Sequence, residues 1–150
     1  MTFTSNRDID YIYTGVIART LPKSEWTHAA HFAAAVAIFH DKDRNAFRDM
    51  PYLIKSYNLS TGTPNTDTDG YHHTITLASL MAVQNSLENA PKGSTLYEIT
   101  NQILAQEFGH SNWLLDYWRK PLLFSVRARK EWVPPDIQSL PFITDSHNHL

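Results

Sequence analysis

Apolar side chains at Ile9, Ile12, Tyr13, Val16 and Ile17 recur every three to four residues, which predicts an amphipathic helix from Asp8 to Ala18. Thr4, Ser5 or Asn6 stands where its N-cap belongs, and Gly15 weakens its middle. After Leu21-Pro22, Ser24 is placed to cap a second helix from about Glu25 to His40, with Glu25 favourable in the first turn. From Ala29 onward that segment is apolar on every face except at His31, the pattern of a central, buried helix. Its alanines admit close neighbours.

A third helix is expected from Arg44 to Asn58, behind Asp41 or Asp43 as cap, with Phe47, Tyr52, Leu53, Ile54 and Tyr57 on its apolar side. Pro51 inside it predicts a kink or a break. The polar stretch LSTGTPNTDTDG, Leu59 to Gly70, is long for a compact domain and reads as a functional loop. A fourth helix follows from about Tyr71 to Asn89, with Asp69 as cap. A fifth opens at Ser94 or Thr95 and runs to about Phe108, with Gly109 as its stop. A sixth is expected over about Asn112 to Arg119, and a short one over Val126 to Trp132 behind Ser125. Pro134, Pro135 and Pro141 make the remainder an extended strap. There is no period-two strand pattern and no internal repeat. The expected fold is all-α, a single domain over 1–150 with five to seven helices, a C-terminal strap and a flexible tail over 143–150.

Length and charge narrow the function. A chain of 150 residues can bury one sizeable core. A net charge of −2 provides no basic field for nucleic acid or anionic lipid. The absence of cysteine removes disulfides, thiolate metal sites and cysteine nucleophiles together. No run is apolar and long enough for a bilayer or a signal core. The expectation is a cytoplasmic protein with a small-molecule ligand, no nucleic acid and no membrane partner; homodimer formation is left open. No Gly-rich phosphate loop, G-x-S-x-G or H-E-x-x-H is present.

Histidine is the over-used chemical residue, with eight copies. His28 and His31 are three apart and share a helix face. A buried imidazole without partners costs about 1–3 kcal/mol, so two of them one turn apart ask for something that uses them. A metal ion is one answer, since neutral imidazole is a common ligand and the i, i+3 step aims ligands into helix bundles. The plainer answer is that His31 bonds a buried backbone or tyrosine oxygen while His28 faces water. GYHHTIT adds His72 and His73, about 100° apart on a helix, so only one can face a shared site. His72, Ile75 and Ser79 form one line; His73, Leu77 and Leu80 form another. Three converging histidines with open positions would suit zinc, iron, manganese or copper. Glu107 and His110 offer a Glu-x-x-His pair as extra ligands, weakened by Gly109. Asp67 and Asp69 lack the closing glutamate of a calcium loop. His147 and His149 read as surface tail.

Three segments, WTHAAH (Trp26–His31), YNLSTGTPNTDTDGYHHTIT (Tyr57–Thr76) and YWRKPLLFSVRARKEWVPPDIQSLPF (Tyr117–Phe142), together resemble a family of small bacterial proteins. The resemblance covers most of the chain and supplies positions rather than a reaction. It implies that Trp26, His28, His31, Tyr71, His72, Thr74, Tyr117, Arg119 and Arg129 are the informative set. Variation in the family at the place of His73 implies His72 as the inward histidine, and the pattern around Glu107 and His110 is looser. The resulting expectation is a metal-dependent enzyme acting on a small molecule. His28, His31 and His72 would hold a divalent transition metal, Arg119 would clamp an anion, and Tyr71 or Tyr117 would donate hydrogen bonds. The Leu59–Gly70 loop would be the lid. The alternative is a metal-free small-molecule-binding or accessory protein with a structural histidine cluster; a histidine general base without metal is a third reading.

Overall fold

The computed structural model describes residues 3–142, in which seven α-helices and three 3₁₀ turns succeed one another without a strand. Helix α1 (Asn6–Ala18) turns Ile9, Ile12, Tyr13 and Val16 inward, as their spacing requires. It closes at Arg19, whose φ of 60° is left-handed. Leu21 then folds back so tightly that a Cβ at Gly15 would lie 2.9 Å from the Leu21 Cβ. Glycine is needed there for close approach, which its helix propensity alone would not suggest.

Helix α2 (His28–His40) starts three residues later than its sequence suggests. Ser24 lies in a 3₁₀ turn, Lys23–Glu25, and makes no capping bond. Trp26 is turned out of helical geometry (φ −84°, ψ 67°), and Thr27 becomes the cap, its Oγ1 accepting the Ala30 N–H at 3.2 Å. The rest of α2 is buried as expected and packs on α1 and on three later helices: α3 (Ala46–Ser60), α4 (His73–Asn89) and α5 (Leu96–Ala105).

Asn45, rather than Asp41 or Asp43, caps α3 by accepting the Arg48 N–H. Asp41 is engaged elsewhere, accepting the Tyr13 hydroxyl at 2.7 Å and pairing with Arg44 at 2.9 Å. The helix continues through Pro51, so the expected break does not occur; the ring forfeits the one N–H that would bond Phe47. Thr95 and Glu98 form a reciprocal capping box at the start of α5. Helix α5 stops at Ala105, short of Phe108, and a 3₁₀ turn over Glu107–Gly109 takes up the interval. A third 3₁₀ turn, Trp113–Asp116, stands where a helix over Asn112–Arg119 was expected, and the short α6 (Lys120–Leu123) follows it. Helix α7 (Val126–Lys130) is capped by Ser125.

Beyond α7 the chain is the irregular strap that its prolines predict, and it is pinned down. The Trp118 indole N–H donates to the Val133 carbonyl at 3.0 Å, the Val133 N–H donates to Thr74 Oγ1, and the Ile137 N–H donates to the Tyr117 carbonyl. Trp118, Tyr57 and Phe32 are the largest fully buried side chains of a single core. The expected flexible tail, with His147 and His149, lies outside the described residues. Among the described residues no helix is long and apolar enough to cross a membrane.

Candidate functional site

The late start of α2 shapes the site. Thr27 both caps the helix and offers its carbonyl to the His31 ring, whose Nδ1–H donates to it at 2.8 Å. Trp26, swung out of the helix, stacks on His31 with ring centroids 3.7 Å apart and planes 28° from parallel. Its other neighbour is the buried Tyr57, met edge-on at 5.4 Å. His28, one turn earlier, donates from Nε2 to the Phe108 carbonyl at 2.7 Å and meets Phe32 edge-on. Each bond fixes a tautomer, because a carbonyl can only accept. In the neutral rings the lone pair is then on Nδ1 of His28 and on Nε2 of His31, and neither atom has a hydrogen-bond partner among the described residues.

Both rings line a cavity of about 330 Å³. Its other walls come from Phe32 of α2, Met50 and Ile54 of α3, and Ile75 and Leu80 of α4, so it is largely apolar. Ser79 adds a hydroxyl. His31 is exposed by surface area, although protein atoms crowd its ring. That desolvation, opposed by the Thr27 carbonyl and reinforced by His28, pushes its pKa down to about 4. His31 is therefore a neutral acceptor at ordinary pH. Trp113, which is 2% exposed, also lines the cavity, and its indole Nε1 is buried with no partner among the described residues. An unmet donor of that kind costs about 1–3 kcal/mol.

His72 does not join this pair. At the N-cap of α4 its backbone is extended (φ −129°, ψ 110°), so it leaves the line on which Ile75 and Ser79 face the cavity. Its Nδ1 accepts the Ile75 N–H at 3.1 Å, and its Nε2–H donates to the Leu123 carbonyl at 2.6 Å. Both ring nitrogens are committed, and His72, not Asp69, is the cap. Burial first, and then the Arg129 charge, hold its pKa below the usual imidazole value against the Leu123 bond. Among the described residues no group of three or more His, Asp or Glu side chains is placed to hold a metal ion. His28 and His31 both line the cavity and His72 does not, so the expected three-histidine centre is not assembled.

The other expected site residues are dispersed. The Tyr71 hydroxyl and His73 Nδ1 lie 2.7 Å apart, and burial raises the Tyr71 pKa. The Tyr117 hydroxyl donates to Glu107 at 2.8 Å; burial and that carboxylate push its pKa up to about 12. Glu107 is thereby committed, and it sits in a 3₁₀ turn rather than one α-helical turn before His110. Arg119 is exposed at the N-cap of α6, where its backbone N–H donates to Asp136. None of these lines the cavity, and neither does any residue of the 59–70 loop, so that loop is not its lid. The sequence reading missed Trp113, Met50 and Ile54 as walls; the shared line of Ile75 and Ser79 was the one signal pointing there. No family model matches the chain, and no curated protein or solved structure matches it.

Proposed function

We propose that the protein binds a small, neutral, largely apolar molecule carrying a hydrogen-bond donor, in the cavity beside His28 and His31. One observation carries the reading: on the wall of a largely apolar cavity, two imidazoles each spend one nitrogen as a donor to a backbone carbonyl and keep the other without a partner among the described residues. Apolar walls supply affinity at about 25 cal/mol per Å² of surface removed from water. The free nitrogens of neutral rings can only accept, so they orient a hydroxyl or N–H group. A carboxylate would require an imidazolium, which the drying of His31 opposes. This is a binding function without metal. Two imidazoles fall short of the three protein ligands usual in catalytic zinc sites.

The test compares 4-ethylphenol, ethylbenzene and 4-ethylbenzoate by calorimetry on untagged protein. The phenol should bind best and the benzoate worst. His31→Phe keeps a ring to stack on Trp26 but removes the acceptor. It should weaken the phenol about fivefold, the value of one hydrogen bond, and leave ethylbenzene unchanged. Equal affinity for phenol and benzoate, or no binding of any probe, would refute the reading. Loss of phenol binding with EDTA and its recovery with zinc would overturn the metal-free version in favour of a metal held by His28 and His31.

A further inference from the structure

We infer that a second site, separate from that cavity, binds the phosphoryl group of a small phosphomonoester between α3, the 59–70 loop and α7. A recess of about 290 Å³ there is lined by Lys55, Arg129 and Lys130 against a single carboxylate, Asp67. Lys130 and Asp67 neutralise each other, with Nζ 2.8 Å from Oδ1. Lys55 and Arg129 have no carboxylate partner among the described residues. In a chain whose net charge is −2, two uncompensated cations facing one recess are a local reversal of sign.

The recess is held in shape before any ligand arrives. Asn65 accepts the Tyr71 N–H at 3.0 Å and an Asn58 amide N–H at 3.1 Å, and donates to the Lys55 carbonyl at 3.0 Å. Gly70 has φ +80°, and a Cβ there would collide with the Pro64 carbonyl, so the loop closes on itself with no room for a side chain. Nη1 of Arg129 donates to the carbonyls of Gly70 and Tyr71 at 3.2 and 3.3 Å, which fixes the guanidinium while Nε and Nη2 stay unspent. The Lys55 ammonium lies 5.0 Å from the Tyr71 ring centroid, within cation–π range. Lys55 also contributes to the lowered pKa of neighbouring His73, after desolvation, as a positive local field requires.

A dianion matches two unmatched cations better than a monocarboxylate does, and a planar guanidinium suits paired phosphoryl oxygens. Thr66, with its Oγ1 taking the N–H groups of Thr68 and Asp69, keeps its own hydroxyl proton for an acceptor. The ligand is thus a phosphorylated small molecule or free phosphate, and the assay separates the two.

Phenyl phosphate, inorganic phosphate and benzoate are titrated by calorimetry at low ionic strength, where screening is weakest. Phenyl phosphate should bind more tightly than benzoate. Tighter binding of inorganic phosphate than of phenyl phosphate would overturn the phosphomonoester assignment. Lys55→Gln should weaken phenyl phosphate about two- to fivefold, the scale of exposed charge pairs. Asp67→Asn should tighten it by a similar factor by releasing Lys130, while Lys92→Gln, an exposed control, should change nothing. Circular dichroism verifies that each variant is folded. Absence of binding, or equal effects of Lys55→Gln and Lys92→Gln, would refute the site. So would weaker binding in Asp67→Asn. The 4-ethylphenol titration should be untouched by Lys55→Gln, which keeps this outcome separate from that of the first cavity.

Discussion

His72→Ala tests whether this histidine is a structural cap, because both of its ring nitrogens are spent on backbone. The residue is 7% exposed, and its Nδ1 satisfies one of the free N–H groups at the start of α4. Loss of such a cap costs about 1 kcal/mol. Its Nε2–H satisfies the carbonyl of Leu123, a residue 1% exposed, and leaving a buried acceptor unmet costs about 1–3 kcal/mol. Together these come to about 2–4 kcal/mol before any loss of packing, within the roughly 5–15 kcal/mol by which a domain of this kind is stable. With a urea slope near 2 kcal/mol per M, the unfolding midpoint should fall by about 1–2 M. His72→Asn separates the two parts. Its side-chain oxygen can still accept the Ile75 N–H, but it is too short to reach Leu123, so it should recover about 1 kcal/mol. Equilibrium urea unfolding followed by circular dichroism reads both variants. If His72→Ala costs less than about 1 kcal/mol, or His72→Asn is no better than alanine, the capping argument is wrong. Stabilisation of the wild type but not of His72→Ala by added zinc would restore His72 as a metal ligand.

Stability should fall as the pH drops through the histidine range. An imidazole whose pKa is lower in the folded state stabilises fully above the unfolded value and loses that contribution toward the folded one. For His31 the window runs from about 6.5 to about 4, and the lowered values of His72 and His73 act in the same direction. His31→Phe should flatten the slope of unfolding free energy against pH in that window, and an unchanged slope would count against the drying of this ring. Asn65→Ala removes three hydrogen bonds around the 59–70 loop, at about 0.5–1.5 kcal/mol each, and should speed amide exchange at Tyr71 more than at residues of α5. Uniform acceleration would show that the loop is not a local unit.

Local pattern carries most of the secondary structure. The spacing of Ile9, Ile12, Tyr13 and Val16 makes α1 two-sided, and Ser94 or Thr95 marks the start of α5, because both signals are local in the chain. The apolar surface of α2, interrupted only by its histidines, could only be satisfied at the centre of an all-α fold. Helix ends were less legible wherever a distant partner competed. Asp41 was drawn to Tyr13, 28 residues away, leaving the cap of α3 to Asn45.

The histidines divide along the same line. That His28 and His31 share a face follows from helical geometry, and so does their position on one wall. Which nitrogen each ring exposes was decided by tertiary contact, through the Phe108 carbonyl 80 residues beyond His28 and a Trp26 turned out of its helix onto His31. Helical spacing left His72 and His73 open as the inward residue, and the resemblance favoured His72. Helix α4 begins at His73 rather than at Tyr71, and Leu123, 51 residues downstream of His72, takes the nitrogen that would otherwise be free. Sequence periodicity therefore determined which faces are apolar and where polar groups interrupt them. Only the assembled fold, by supplying or withholding a carbonyl within hydrogen-bond reach, decided which of those polar groups are spent on structure and which remain open to a ligand.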